Sequence, residues 1–215
     1  MYFRTISVLL VAILLSMVGA SHATASDRSG GAATPPSGAT FAREFGRTLP
    51  PIGWVQFCSR FKRDCAGAGK RLPKVSLNKQ RWSELQRVNA HVNNKIAPIT
   101  DENNYGIPEY WTYPTTNGDC EDYALLKRRY LINMGWPREA LLITVVLNPD
   151  QSGHAVLTAV TDQGEFILDN QSSLVLPQQA TPYTYIKRQS QVHPQIWVSI
   201  NQNYSKKVRQ VAGRN

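Results

Sequence analysis

The chain has 215 residues, 42% of them hydrophobic, and a formal net charge of +9 from 24 Lys and Arg against 15 Asp and Glu. That length suits one globular domain plus a leader, and the apolar fraction is enough for a core. No nucleic-acid-binding motif accompanies the positive charge, so nucleic acid is excluded as a partner in favour of a solvated basic surface or of acidic envelope polymers and proteins.

Arg4, the apolar run from Ile6 to Val18, and small-residue sites at Ser21-His22-Ala23 or Ala23-Thr24-Ala25 read as a cleavable signal peptide over residues 1–25. The run is too short and too N-terminal for a comfortable membrane span. The mature chain is therefore expected to be exported, with no stable span after cleavage. Residues 26–45, rich in Ser, Gly, Ala and Pro at their start, read as a flexible linker. A domain over 46–203 follows, then a basic tail over 204–215.

Export changes the meaning of the three cysteines. Cys58 and Cys65 are close enough in sequence to pair across a short loop in an oxidising compartment. Such a loop stabilises by ~2–3 kcal/mol on the loop-closure argument. A zinc site there lacks a second CxxC or a nearby His pair. Cys120 is left over, and an unpaired cysteine in an exported protein is a candidate reactive thiol.

Leu49 to Trp54 reads as an extended edge segment, with Pro50 and Pro51 in it. Asn78 caps a predicted helix whose Trp82, Leu85, Val88, Val92 and Ile96 share one face, and Pro98 ends it. Thr100 to Thr116 is a long aromatic loop of the kind that often carries function. Its Tyr110, Trp111 and Tyr113 are expected to wall a cleft beside Cys120; packing over the next helix is the alternative. That helix runs from Cys120 through Ile132 and stops at Gly135, with Asn117 or Asp119 as its cap. Leu141 to Leu147 is a buried strand, and His154–Thr161 and Glu165–Asn170 form a hairpin around Asp162-Gln163-Gly164. Two further strands are expected at Tyr183–Arg188 and Ile196–Ile200. Helices first and antiparallel strands after make an α+β domain.

The chemistry gathers at Asn117-Gly118-Asp119-Cys120-Glu121-Asp122-Tyr123. A helix N-terminus favours the thiolate, whereas flanking acids disfavour it unless a cation or a histidinium offsets them. His154 at the start of one strand and Asp169 at the end of the next complete the order of a Cys-His-Asp triad. Parity places both on one sheet face. A two-residue loop at Gln163-Gly164, however, offsets them by about four residues, on the order of 13 Å, so that a bulge, sheet coiling or a different turn must close the gap. Asp119, Glu121 and Asp122 read either as acids complementing the helix dipole or as hard oxygen ligands for calcium. The backbone N–H of Cys120 is one natural oxyanion donor.

Gly118-Asp119-Cys120-Glu121-Asp122-Tyr123, Gly153-His154-Ala155-Val156-Leu157 and Leu168-Asp169-Asn170 resemble the motifs of the bacterial transglutaminase-like cysteine proteinases, within the papain-like/transglutaminase superfamily. The resemblance extends through Tyr110-Trp111 and Lys187-Arg188-Gln189-Ser190, which is nearly all of the mature domain. It implies a catalytic role for Cys120, His154 and Asp169, and calcium binding at Asp119 and Glu121. In the LapG-type periplasmic members, such proteases clip large surface adhesins and so release bacteria from biofilms, and an inner-membrane receptor responding to cyclic di-GMP sequesters them. The Cys58/Cys65 pair is not associated with that branch and points to a sister branch. The expected function is thus an exported calcium-dependent cysteine endopeptidase acting on an adhesin or another envelope protein. A transglutaminase-type acyltransferase and a non-catalytic calcium-binding envelope module are the alternatives.

Overall fold

A computed structural model describes residues 34–67 and 74–204. The expected signal peptide, the start of the linker and all but the first residue of the basic tail lie outside the described residues. In chain order the elements are β1 (Arg47–Thr48), α1 (Ile52–Arg60), a 3-10 turn (Lys62–Cys65), α2 (Lys79–Lys95), β2 (Ala97–Pro98), α3 (Asp101–Tyr105), β3 (Asn117–Gly118), α4 (Cys120–Asn133), β4 (Leu141–Leu147), β5 (Gly153–Thr161), β6 (Gly164–Leu168), β7 (Leu176–Pro177), β8 (Thr184–Gln189) and β9 (Trp197–Ser199). Seven strands make one antiparallel sheet in the order β1-β9-β8-β4-β5-β6-β7. The domain is α+β, with the helices preceding the main run of strands.

Strand alternation divides the buried residues between two faces. Ile143, Leu157, Ala159, Phe166 and Leu168 join Trp54, Phe57, Trp82, Leu85, Leu125 and Leu131 of the helices in the main core. Val146, Val156 and Ile167 form a small second cluster with Tyr183 and Tyr185. α2 has the expected buried stripe, and Asn78 Oδ1 caps it by accepting from the Arg81 N–H at 2.8 Å. The disulfide between Cys58 and Cys65 is formed.

Three expectations need correction. The Leu49–Trp54 segment is not extended throughout: α1 starts at Ile52, directly after Pro51. Proline suits the start of a helix, where its missing N–H costs nothing, and burial of Gly53, Trp54 and Phe57 on one face holds the helix down. The second correction concerns residues 38–45, expected within the linker. They are bound to the sheet: Glu165 N–H donates to Thr40 O at 3.1 Å, and Phe45 N–H to Ser199 O at 2.8 Å. Arg188, buried against Glu165 at 2.7 Å, also meets Glu44 at 3.3 Å. Gly164 permits this strap. Its φ is +123°, and a Cβ there would lie 2.4 Å from the Ala39 Cβ.

The third correction is one of register. Thr161 pairs with Gly164, so the turn is Asp162-Gln163 rather than Gln163-Gly164. Leu157 then faces Leu168. Extending that register puts Asp169 two residues, roughly 7 Å, from the position opposite His154. A diagonal pair on one face is within reach of long side chains, and the gap closes without a bulge between β5 and β6.

Candidate active site

α4 begins at Cys120 with Asp119 as its N-cap residue, but the Asp119 side chain makes no capping hydrogen bond. Its Oδ2 accepts instead from the Asp101 N–H at 3.1 Å. The parallel pairing of β2 with β3, Ala97 to Asn117 and Pro98 to Gly118, brings Asp101 here from 18 residues upstream. Asp101, Asp119 and Glu121 can each place one carboxylate oxygen within 4.8 Å of the others. Asp101 was not among the residues expected from sequence. Nothing local marks it, and only the β2–β3 pairing brings it to Asp119.

Asp122, expected among the metal ligands, lies outside this group of three. Its Oδ1 accepts from the Thr112 N–H at 2.7 Å and so pins the aromatic loop to α4. Burial pushes its carboxyl up to about 8. Of the three aromatics expected to wall the cleft, Trp111 does so, lining a cavity with Cys120 and His154. Gly53 of α1 makes room for it, since a Cβ there would stand 2.2 Å from Trp111 Cδ1. Tyr113 packs instead between Phe57 and Phe61, with centroids at 5.4 and 5.2 Å. Tyr110 lies beneath the Arg60 guanidinium, 4.4 Å from its ring centroid, and against Tyr105.

Cys120 is the free cysteine among the described residues and is half-buried. Its thiol donates to Glu121 Oε2 at 3.2 Å. Burial, and then the adjacent Glu121, push the thiol well above its ordinary value, while a hydrogen bond from the Ala155 N–H pulls the other way. Burial and the neighbouring Asp119 push the Glu121 carboxyl up to about 10. Asp119 is raised too, chiefly by burial.

His154, buried at the start of β5, places Nε2 2.9 Å from Asp169 Oδ1. Gln171 Nε2 lies 3.5 Å from the other ring nitrogen. Burial by itself raises the Asp169 carboxyl. Hydrogen bonds from His154, the Tyr183 hydroxyl and the Gln171 N–H outweigh it and hold Asp169 below its ordinary value. Tyr183 was missed in the sequence because its role depends on the approach of the segment before β8. Cys120 and His154 line two cavities, of about 430 and 450 Å³. One extends toward Thr100, Asn103 and Gln171, the other toward Pro51, Trp111 and Lys187. Cys120 and His154 thus stand where the two cavities meet.

The buried helix α4 thus opens on a free thiol, and the antiparallel sheet packed against it carries a His-Asp pair. The profile of the bacterial transglutaminase-like cysteine proteinases (BTLCP) matches residues 44–205, and the chain belongs to that family. It is a cysteine peptidase. The calcium-bound structure of LapG from Legionella pneumophila is 22% identical over 65% of this chain and 77% of that one, with a TM-score of 0.45. An EGTA-treated form of the same protein is 23% identical over 65% and 75%, at 0.44. No curated protein matches. Among the described residues, no helix is long and apolar enough to cross a membrane.

Proposed function

We propose that this protein is an exported endopeptidase that uses Cys120 as nucleophile, His154 as general base and acid, and Asp169 as the group that orients the imidazole. The observation that carries the reading is the position of Cys120 and His154 on the walls of the same two cavities, with His154 held by Asp169 at 2.9 Å. The thiol turns from Glu121 toward His154, which takes its proton as sulfur attacks the scissile carbonyl carbon. The tetrahedral oxyanion is stabilised by the backbone N–H of Cys120, which has no acceptor within its helix. Collapse breaks the C–N bond, and His154 returns the proton to the departing amine. Water, deprotonated by His154, then hydrolyses the thioester and regenerates the thiol. A groove open on both sides of Cys120 suits a chain that continues in both directions, and hence internal cleavage.

Asp101, Asp119 and Glu121 are the proposed holders of a calcium ion. Hard oxygens suit it, and Asp101 Oδ1 and Asp119 Oδ1 are buried without a hydrogen-bond partner. When bound, calcium would supply the positive charge that offsets the carboxylates flanking Cys120. Asp122 Oδ1 is committed to the Thr112 N–H, while its Oδ2 is likewise buried without a hydrogen-bond partner, outside the group of three. The resemblance noted above favours a surface adhesin or another envelope protein as substrate, an inner-membrane regulatory receptor as partner, and a periplasmic location after cleavage of residues 1–25.

Residues 26–215 should be incubated with an envelope protein extract, with calcium or with EGTA, and new protein N-termini labelled and sequenced. Calcium-dependent termini are expected that vanish in Cys120→Ala and His154→Ala. Crosslinked products in place of new termini would refute hydrolysis, and termini that persist in Cys120→Ala would refute the nucleophile.

A further inference from the structure

A third cavity, of about 580 Å³, lies along α1 away from Cys120. Its walls include Pro50, Trp54, Val55 and Lys62. Beside it Leu49, Ile52 and Val55 are 77%, 62% and 47% exposed. Ile52 and Val55 are one helical turn apart and so share a face of α1. Three large aliphatic side chains in a stretch of seven residues, left in water next to an apolar hollow, form a patch of the sort that marks an interaction site.

The same segment borders the proposed catalytic groove. Pro51 lines the cavity that holds Cys120 and His154, while Pro50, its neighbour, lines the cavity on α1. Lys187 lines the catalytic cavity and fixes the segment, donating from Nζ to the Leu49 carbonyl at 3.0 Å. A one-residue irregularity between β4 and β8 sets Lys187 opposite Val145, whereas the next pair is Val146 with Tyr185. Residues 49–52 are therefore a lip with the nucleophile's groove on one side and the apolar hollow on the other. A lysine stands on each side, Lys187 and Lys62, in a chain of net charge +9.

We infer that this lip and hollow form an extended substrate subsite, which takes an apolar side chain of the polypeptide being cut, at a fixed distance from the scissile bond and next to acidic residues. The inference rests on the endopeptidase reading and adds a substrate class to it. Continuity with the catalytic groove selects the occupant: a chain that threads past Cys120 and Trp111 meets the lip as it leaves. Placing one aliphatic side chain in the hollow favours such substrates about ten-fold or more over a chain with a polar residue there. The lysines add a preference for acidic neighbours that weakens with salt.

The test uses residues 26–215 and a peptide library made by tryptic digestion of a whole proteome, with the cleaved products sequenced. For the wild type, an aliphatic or aromatic residue is expected at one fixed distance from the cut, enriched about ten-fold, with Asp or Glu beside it. Ile52→Ser and Val55→Ser are expected to bring the apolar enrichment down to about one, and Lys62→Glu to weaken the acidic preference beside it. Melting temperatures of the variants report whether each still folds. Cleavage by the wild type with no apolar preference at a fixed distance, or a preference unmoved in folded Ile52→Ser and Val55→Ser, would overturn the subsite and leave the peptidase standing. No cleavage at all, together with a Cys120 that iodoacetamide alkylates no faster than a free thiol, would overturn both.

Discussion

Lys127 offers a direct test of the energetics of α4. Its side chain is wholly buried, and its Nζ has no hydrogen-bond partner among the described residues. The Tyr123 ring centroid is 5.8 Å away. Burial pushes the ammonium down from 10.5 to about 7, against an opposing pull from the Asp169 carboxylate. In the unfolded chain the amine stays protonated up to its ordinary value. Between pH 7 and 10.5 the unfolded state therefore binds the extra proton, and stability rises with pH across that window. At about 1.4 kcal/mol per pH unit, the wild type forgoes on the order of 4 kcal/mol at neutral pH. That is a large share of the roughly 5–15 kcal/mol that holds an ordinary domain together. Lys127→Met keeps the aliphatic stem and removes the charge. It is expected to be more stable than the wild type by that order at neutral pH, with the difference closing toward alkaline pH. Urea unfolding of both proteins at a series of pH values measures this. A variant no more stable than the wild type, or a difference that does not change with pH, would refute the argument.

The lowered Asp169 carboxyl contributes stability that is present above the ordinary carboxylate range and is lost as pH falls through its folded value. Asp169→Asn should flatten the acid limb of a melting-temperature profile and cost about 1–3 kcal/mol at neutral pH, where its amide keeps one accepting oxygen for His154 but turns a donor toward the Tyr183 hydroxyl; an unchanged acid limb would contradict it. Asp101→Asn is expected to remove most of a calcium-dependent rise in melting temperature, which for the wild type corresponds to ~2.7 kcal/mol at a hundredfold excess over Kd. A full rise in the variant would exclude Asp101 as a ligand. Replacing Cys58 and Cys65 together by serine should lower the unfolding free energy by ~2–3 kcal/mol, and an unchanged denaturation midpoint would show that the disulfide adds nothing to stability.

Local pattern settled much of this protein without any structure. A 3.6-residue stripe and Asn78 were enough to place α2, because capping and amphipathicity act within a few residues. The helix that opens on Cys120 and the strands from Leu141 onward follow from the same short-range rules, as does the pairing of two cysteines that left the third free. Parity alone put His154 and Asp169 on one face. Tertiary structure decided the rest wherever a partner distant in sequence outweighed local preference. Pro50-Pro51 reads as extended, yet burial of Trp54 and Phe57 makes the next nine residues helical. Tyr110, Trp111 and Tyr113 are alike in sequence, and only packing against Arg60, Gly53 and Phe57 sorts them, leaving Trp111 in the groove. The hairpin register hangs on one residue of turn, since a slip by one moves the partner of every side chain. Asp101 carries no local mark at all. It reaches Asp119 because two short strands pair in parallel, a long-range choice made by the whole fold's need to bury its core and satisfy its backbone rather than by any few residues in sequence.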